Sequence, residues 1–179
     1  MNPSTPIVVG IDLSLTGTGI AHVDGSAETY EPTADRESHH GLARMDEIAR
    51  YVDRATDMGD LELVVLEGLA FDAHDTKRQQ AQLTGVVRHS LYRANKPFIV
   101  VPPTTLKKYA TGTGQAKKMT VFKSAQYRFG YQGESFDEAD ALWLRAIGWH
   151  LIMGEPITEL PKTHLAAIDP LVRQRPVIP

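Results

Sequence analysis

A chain of 179 residues with 42% hydrophobic and 23% charged residues has the length and mixture of one soluble globular domain, alone or with a tail. It has no cysteine, which excludes disulfides, thiolate zinc sites and cysteine nucleophiles and agrees with a reducing, cytoplasmic setting. No apolar run approaches the ~18–20 residues that span a bilayer, and no basic stretch precedes the apolar run at the N-terminus, so neither a membrane segment nor a secretory signal is expected. The net charge of −3 conceals an asymmetry: the eleven Lys and Arg from Lys77 to Arg128 are accompanied by no Asp or Glu, so residues 77–130 carry +11 and the remainder −14. A solvated face normally interleaves both signs. A concentrated positive field suits a polyanion such as nucleic acid.

In chain order, Pro6–Ile11 is a short β-branched run that reads as a buried strand ending at Asp12. Gly17–Val23 reads as a second strand and Ala27–Tyr30 as a third. Leu42, Met45, Ile48, Val52 and Ala55 recur every three or four residues, so residues 37–56 are expected to form an amphipathic helix. Leu61–Leu66 is a fourth strand, ending at Glu67. Lys77–Ala94 is expected to be a helix that turns Leu83, Val86 or Val87, and Leu91 inward. Phe98–Val101 is a fifth strand, stopped by Pro102-Pro103. A short helix over Thr104–Ala110 and a glycine-containing loop over Thr111–Lys118 follow, then a helix over Met119–Arg128. The last long helix, Ser135–Ile152, opens with a Ser135-x-x-Glu138 capping box. From Gly154 onward five prolines in 26 residues predict an extended tail with one turn of helix around His164–Ile168. No internal repeat is visible. The order of elements describes an α/β fold with a mixed sheet.

Carboxylates stand where apolar elements end. Asp12 closes the first strand and Glu67 the fourth. Positions 137, 140, 144, 147 and 151 share one face of the last helix and are Asp, Asp, Leu, Ile and Leu. An ionised carboxylate on a core-facing stripe is costly unless a positive charge meets it. Asp137 lies in the first turn, where the helix dipole favours it, and Asp12 taken alone could merely start a turn. Asp140 lies beyond the first turn and gains little from the dipole. Four such carboxylates opposed to a basic segment favour a metal site. Hard oxygen donors without cysteine indicate Mg²⁺ or Mn²⁺, and two such ions can activate water and stabilise the leaving oxygen of a phosphodiester.

Gly10-Ile11-Asp12 with Ser14 and Gly17–Gly19, then Leu66-Glu67, then Gly114-Gln115-Ala116-Lys117-Lys118, then Asp137-Glu138-Ala139-Asp140-Ala141 resemble, in that order, the motifs of RuvC-type Holliday junction resolvases. The resemblance runs from about Ile7 to His150. It implies a ribonuclease H-like fold, a mixed five-stranded sheet flanked by helices, over residues 1–153, with 154–179 as a proline-rich tail. It implies a homodimeric, Mg²⁺-dependent crossover junction endodeoxyribonuclease that cuts opposing strands of a four-way DNA junction. The family's catalytic carboxylates carry over onto Asp12, Glu67, Asp137 and Asp140, its active-centre lysines onto Lys118 and Lys107, and its DNA-stacking aromatic onto Phe71. The chain departs from the family at Leu13-Ser14, where Pro-Gly is usual, and in the segment after Glu67. This pattern is that of a divergent, phage-type branch, at work in bacterial or host cytoplasm.

The loop Thr111–Lys118 lacks the G-x-x-x-x-G-K-[ST] spacing of a nucleotide-binding loop, so no nucleotide cofactor is expected. On a nucleic-acid reading Lys117 and Lys118 would grip the scissile phosphate. Lys77, Arg78, Arg88, Lys107, Lys108 and Lys123 would follow flanking backbones and supply affinity without sequence information. The seven histidines have no metal-ligand spacing; His74 adjoins the basic region. Trp143 and Trp149 belong to core or dimer packing. The alternatives are a nuclease of the same fold for flaps, forks or RNA–DNA hybrids, and a DNA-binding module without activity, against which the four carboxylates argue. The stretch from Gly10 to Gly19 also resembles the first phosphate loop of actin-like ATPases and sugar kinases, but 179 residues leave no room for their second lobe.

Overall fold

The computed structural model describes residues 5–35, 41–69, 75–173 and 176–177, with side chains left aside at 75–77. Five strands form one mixed sheet in the order β3-β2-β1-β4-β5. They are β1 (Val8–Asp12), β2 (Thr18–Ala21), β3 (Ala27–Tyr30), β4 (Leu63–Glu67) and β5 (Phe98–Val101). β1 pairs antiparallel with β2, as β2 does with β3, and parallel with β4, as β4 does with β5. β1 is the central strand and is buried along its whole length, which is why it reads as an unbroken apolar run rather than an alternating one.

Strand alternation sorts the side chains between two cores. Val9 and Ile11 of β1 and Val64 and Leu66 of β4 face α1 (Leu42–Ala55) and α2 (Asp75–Arg93), where Met45, Ile48, Val52, Leu83, Val87 and Leu91 meet them. Val8, Leu63 and Val65 face the other layer, built from α3 (Pro103–Thr111), α4 (Lys118–Phe129) and α5 (Phe136–Met153). The parity that sends Val8 and Val65 to that side sends Asp12 and Glu67 there too. The register Ile11↔Leu66 makes the two carboxylates neighbours at the ends of adjacent strands.

α5 lies almost directly on the sheet. A Cβ at Gly10 would stand 2.1 Å from the Ala141 carbonyl oxygen and 2.4 Å from the Arg145 nitrogen. One at Gly19 would stand 2.1 Å from the Asp137 carbonyl oxygen. No side chain fits at either position. Because of this close approach α5 is buried on nearly every side from Ala139 to Gly148, not on the single stripe that its 3-4 spacing predicts.

The other elements agree with the sequence pattern to within a few residues. α1 begins at Leu42, and residues 36–40 lie outside the described residues. Leu42 itself is exposed, so the buried stripe of α1 starts at Met45. The segment after Gly154 corrects the expectation of an extended tail. The turn expected around His164–Ile168 is present as α6 (Lys162–Leu165), a second short helix, α7 (Asp169–Val172), follows it, and Ala167 and Ile168 between them join Leu171 of α7 in the core that includes α5. Val177 then pairs with Phe98 at the start of β5. The apolar residues between the prolines are what hold this stretch to the domain. Among the described residues no helix is long and apolar enough to cross a membrane.

The glycine contacts give a direct test. Gly10→Ala forces backbone against backbone and is expected to lower unfolding stability by ~3 kcal/mol or more. Gly85→Ala, in α2 with nothing near its would-be Cβ, should raise it by ~0.5–1 kcal/mol. Urea denaturation of the two variants measures both. Equal effects would mean that α5 is not seated on β1 as described.

Candidate functional site

The ends of β1 and β4, the first turns of α4 and α5, and the middle of α3 enclose a cleft of about 410 Å³. Asp12, Glu67, Asp137 and Asp140 all line it, with Lys107 and Lys118 beside them. Residues separated by up to 128 positions in the chain thus share one cavity. Each is delivered by a rigid element. Asp12 and Glu67 come from paired strands and Asp137 and Asp140 from successive turns of α5. Lys107 comes from α3, which Pro103 starts in its first turn and Gly112 ends at φ +84°. Lys118 is the first residue of α4.

The electrostatics are strained. Asp12 is almost inaccessible, and burial, then the neighbouring Glu67, raises its pKa well above the ordinary value. Glu67 is also raised by burial, although the hydrogen bond from Asp12 and the fields of Lys118 and Lys107 work the other way. Burial and mutual repulsion thus make the doubly ionised pair costly. Burial, with Glu67 adding to it, pushes Asp140 up to about 7, against the pull of Lys118. Asp137 accepts a hydrogen bond from Lys118 Nζ at 2.9 Å, and that ion pair outweighs burial to leave the lysine raised. Lys118 Nζ also stands 5.5 Å from the centre of the Phe136 ring.

Among the described residues no three His, Asp or Glu side chains are already set at metal-ligand spacing. Asp12 is turned to Glu67 and Asp137 to Lys118, so the donors stand in pairs and not as a closed cage. Their chemistry nevertheless fits a hard divalent cation. Four carboxylates share the cleft, and burial, with their mutual repulsion, raises Asp12, Glu67 and Asp140, a cost that a bound cation would relieve.

The remaining sequence candidates are spread more widely. Lys108, Lys117 and Lys123 are exposed on α3 and α4 without lining the cleft. Arg78 lies in the first turns of α2. Arg88 stands over the Phe98 ring at 6.0 Å, at the end of β5 away from Glu67. Phe71, His74 and the side chain of Lys77 lie outside the described residues. Trp143 is fully buried against Tyr109 and Phe129 and is a core residue. His150 and His164 hydrogen-bond the hydroxyl and the carbonyl of Tyr109, far from any ligand set.

Sequence reasoning missed Gln80. Its side chain lines the cleft and its amide donates to the Leu13 carbonyl, next to Asp12. The signal was present: Gln80 continues the inward stripe of Leu83, Val87 and Leu91, a polar residue on an apolar face, as Asp140 is. The glycines of the loop before α4 also have a packing reason. A Cβ at Gly114 would stand 3.1 Å from the Thr104 carbonyl oxygen, so the loop is folded tightly onto the start of α3.

Comparison with known proteins resolves the architecture. No family model matches the sequence, and no curated protein matches it. The structure of Thermus thermophilus RuvC superposes with a TM-score of 0.61 at 20% identity, over 84% of this chain and 99% of that one. The chain has the RuvC fold. The T. thermophilus RuvC complex with a Holliday junction substrate superposes equally well, with a TM-score of 0.61 at 19% identity, over 85% of this chain and 99% of that one. The ribonuclease H-like expectation for the sheet and its flanking helices is thus met.

The crowded carboxylates have a measurable consequence. Asp140 titrates at about 7 in the fold and near 4 when unfolded. The folded state therefore holds a proton more tightly, and stability is lost as pH rises through that window. In EDTA, Asp140→Asn is expected to raise Tm at pH 8 by several degrees and at pH 5 by little. Thermal scans at both pH values check this. A Tm difference that does not change with pH would mean that Asp140 is ionised without penalty.

Proposed function

We propose that this chain is a divalent-metal-dependent endonuclease that binds four-way DNA junctions and hydrolyses phosphodiesters in opposing strands. One observation carries the reading: Asp12, Glu67, Asp137 and Asp140 converge with Lys107 and Lys118 in a single cleft of a chain with the RuvC fold. The similarity to a RuvC that is described with a Holliday junction substrate supports the choice of substrate.

Asp12, Glu67, Asp137 and Asp140 are the residues that would hold Mg²⁺ or Mn²⁺, two ions on this reading. When bound, the metal supplies electrophilic stabilisation of the attacking water and the leaving oxygen. The chain does the rest. Leu13, Leu69 and Leu106 supply the apolar part of the cleft lining. Lys118, which pairs with Asp137 at the cleft, would place its ammonium where it could offset charge developing on the phosphate. Lys107, half-buried beside Glu67 and Asp140, adds a second positive charge. Exposed Lys108, Lys117 and Lys123 would hold flanking backbone.

A chain with one acidic cleft cuts one strand at a time. Paired cuts across a junction of two-fold symmetry need two copies, so the active form is proposed to be a homodimer.

The decisive experiment is cleavage of a panel: four-way junction, flap, fork, duplex and RNA–DNA hybrid, with EDTA, Mg²⁺, Mn²⁺ or Ca²⁺. Junction cutting that requires Mg²⁺ or Mn²⁺ is the expected result. Full activity in EDTA would sink the metal mechanism, and preferential cutting of flaps, forks or hybrid would move the substrate while keeping the site.

Three variants separate chemistry from grip. Asp140→Asn should abolish cutting, by 10³-fold or so, and leave junction binding intact or tighter, because it removes a charge that repels phosphate. Lys118→Ala should cut the single-turnover rate by ~10²-fold with a modest loss of affinity. Lys123→Ala should lower affinity, and the salt slope by about one unit, with the rate on bound junction near normal. Single-turnover kinetics and salt titrations sort them; if Lys118→Ala and Lys123→Ala behave alike, Lys118 is only a phosphate anchor.

A further inference from the structure

The helix start that presents Asp137 and Asp140 is held by an unusual hydrogen-bond ring. In a capping box the N-cap side chain accepts from the backbone N–H three residues on, and the acidic side chain there returns to the N-cap N–H. Here only the first half forms: Ser135 Oγ accepts from the Glu138 N–H at 3.3 Å. The Ser135 N–H is taken by the Tyr131 hydroxyl oxygen at 3.2 Å. The Glu138 carboxylate is thereby released, and it reaches out of the helix instead. Its Oε1 accepts from Thr29 Oγ1 of β3 at 2.9 Å, and its Oε2 accepts from the Tyr131 hydroxyl at 2.6 Å.

Proton directions close consistently. A carboxylate only accepts, so Thr29 must donate to Glu138 and therefore accept from Ser135 Oγ, 2.8 Å away. Ser135 Oγ in turn accepts from the Glu138 backbone. The Tyr131 hydroxyl donates to Glu138 and also lies 3.1 Å from the Ser135 carbonyl oxygen, which ties it to the helix start a second time. The ring joins the sheet edge, the loop before α5 and the first turn of α5. Asp137 sits inside that turn, with its carbonyl pressed on Gly19 and its carboxylate on Lys118. A ring this close to Asp137 does more than cap a helix, since a cap alone would need only Ser135.

We propose that Glu138 is a positioning residue for the carboxylate site: by locking the first turn of α5 to β3 through Thr29 and Tyr131, it fixes where Asp137 and Asp140 stand relative to Asp12 and Glu67. The inference rests on the metal-site reading above and deepens it. A divalent ion must draw the paired carboxylates together, and small errors in the placement of one donor weaken binding of an ion that demands regular geometry. Glu138 touches neither the cleft lining nor the ion it would serve.

The test is Mn²⁺ binding to the full chain without DNA, followed by electron paramagnetic resonance or calorimetry, alongside the Mg²⁺ concentration that half-saturates junction cutting. Glu138→Ala is expected to weaken Mn²⁺ binding about tenfold and to raise the half-saturating Mg²⁺ by a similar factor, with cutting largely recovered at high Mg²⁺. Glu138→Gln can accept from one hydroxyl and donate to the other, and should stay within about threefold of the parent. Thr29→Val should fall between them. Ile48→Val, buried in α1 on the opposite face of the sheet, serves as a control for lost stability: it should lower Tm and leave Mn²⁺ affinity unchanged. The inference is overturned if Glu138→Ala binds Mn²⁺ as the parent does, or if Ile48→Val weakens binding as much for a similar loss of Tm. A parent chain that binds Mn²⁺ but cuts no DNA overturns the nuclease reading and leaves this inference to be judged on binding. A parent chain that binds no Mn²⁺ overturns both.

Discussion

The contact between α5 and the bare backbone of β1 and β2 determines most of what the cleft can be. Gly10 and Gly19 leave no room for any side chain between strand and helix, so the helix axis lies closer to the sheet than an ordinary helix–sheet layer allows. The start of α5 is seated over Gly19, the register partner of Asp12, so Asp137 and Asp140 share one cleft with Asp12 and Glu67. The burial that makes this seat tight is also what raises Asp12, Glu67 and Asp140 toward their protonated forms. Packing and electrostatics are thus two results of one constraint, and the site is held in an unfavourable state by the stability of the layers around it.

Much of this was legible in the sequence, for identifiable physical reasons. Strands β1 and β4 are short, β-branched and apolar up to their closing carboxylates, and such runs have few other places to go than the middle of a covered sheet. Asp12 and Glu67 stood out because they end those runs. Asp140 stood out because it continued a buried stripe beyond reach of the helix dipole. Parity then does the remaining work: once the strands are placed, alternation decides that both strand-end carboxylates face α5.

Other features were illegible because they depend on contacts between distant segments. Gly10 and Gly19 read only as strand residues in a linear reading, and only the structure shows a helix backbone against them. The proline-rich end reads as extended because proline limits local structure, yet Ala167, Ile168 and Leu171 find an apolar surface under α5 that no local rule describes. The capping box was half right. Ser135 caps as expected, but Tyr131 takes the second role and leaves the Glu138 carboxylate for Thr29, 109 residues earlier. Gln80 stands on the inward stripe of α2, but an uncharged amide there gives no sign in the sequence that it reaches Leu13 across the fold. Where sequence and structure part, long-range contacts have overridden a local preference.

The charge asymmetry takes on a more exact meaning once folded. A segment of +11 does not wrap the acidic cleft as a uniform shell. Two of its lysines enter it, Lys118 paired to Asp137 and Lys107 near Glu67 and Asp140, while Lys108, Lys117 and Lys123 stay in solvent on the same two helices. A polyanion approaching α3 and α4 would therefore meet positive charge first and negative charge only at the centre. That order solves a problem inherent in any carboxylate site that must accept a phosphate. The carboxylates repel the ligand at short range, where the Coulomb term is steep, and the outer lysines attract it from further away, within a Debye length of ~8–10 Å. On the proposed reading a cation completes the arrangement by reversing the sign at the centre. On that reading Lys118 would exchange Asp137 for a phosphate, so the side chain that offsets a carboxylate here would also serve the ligand.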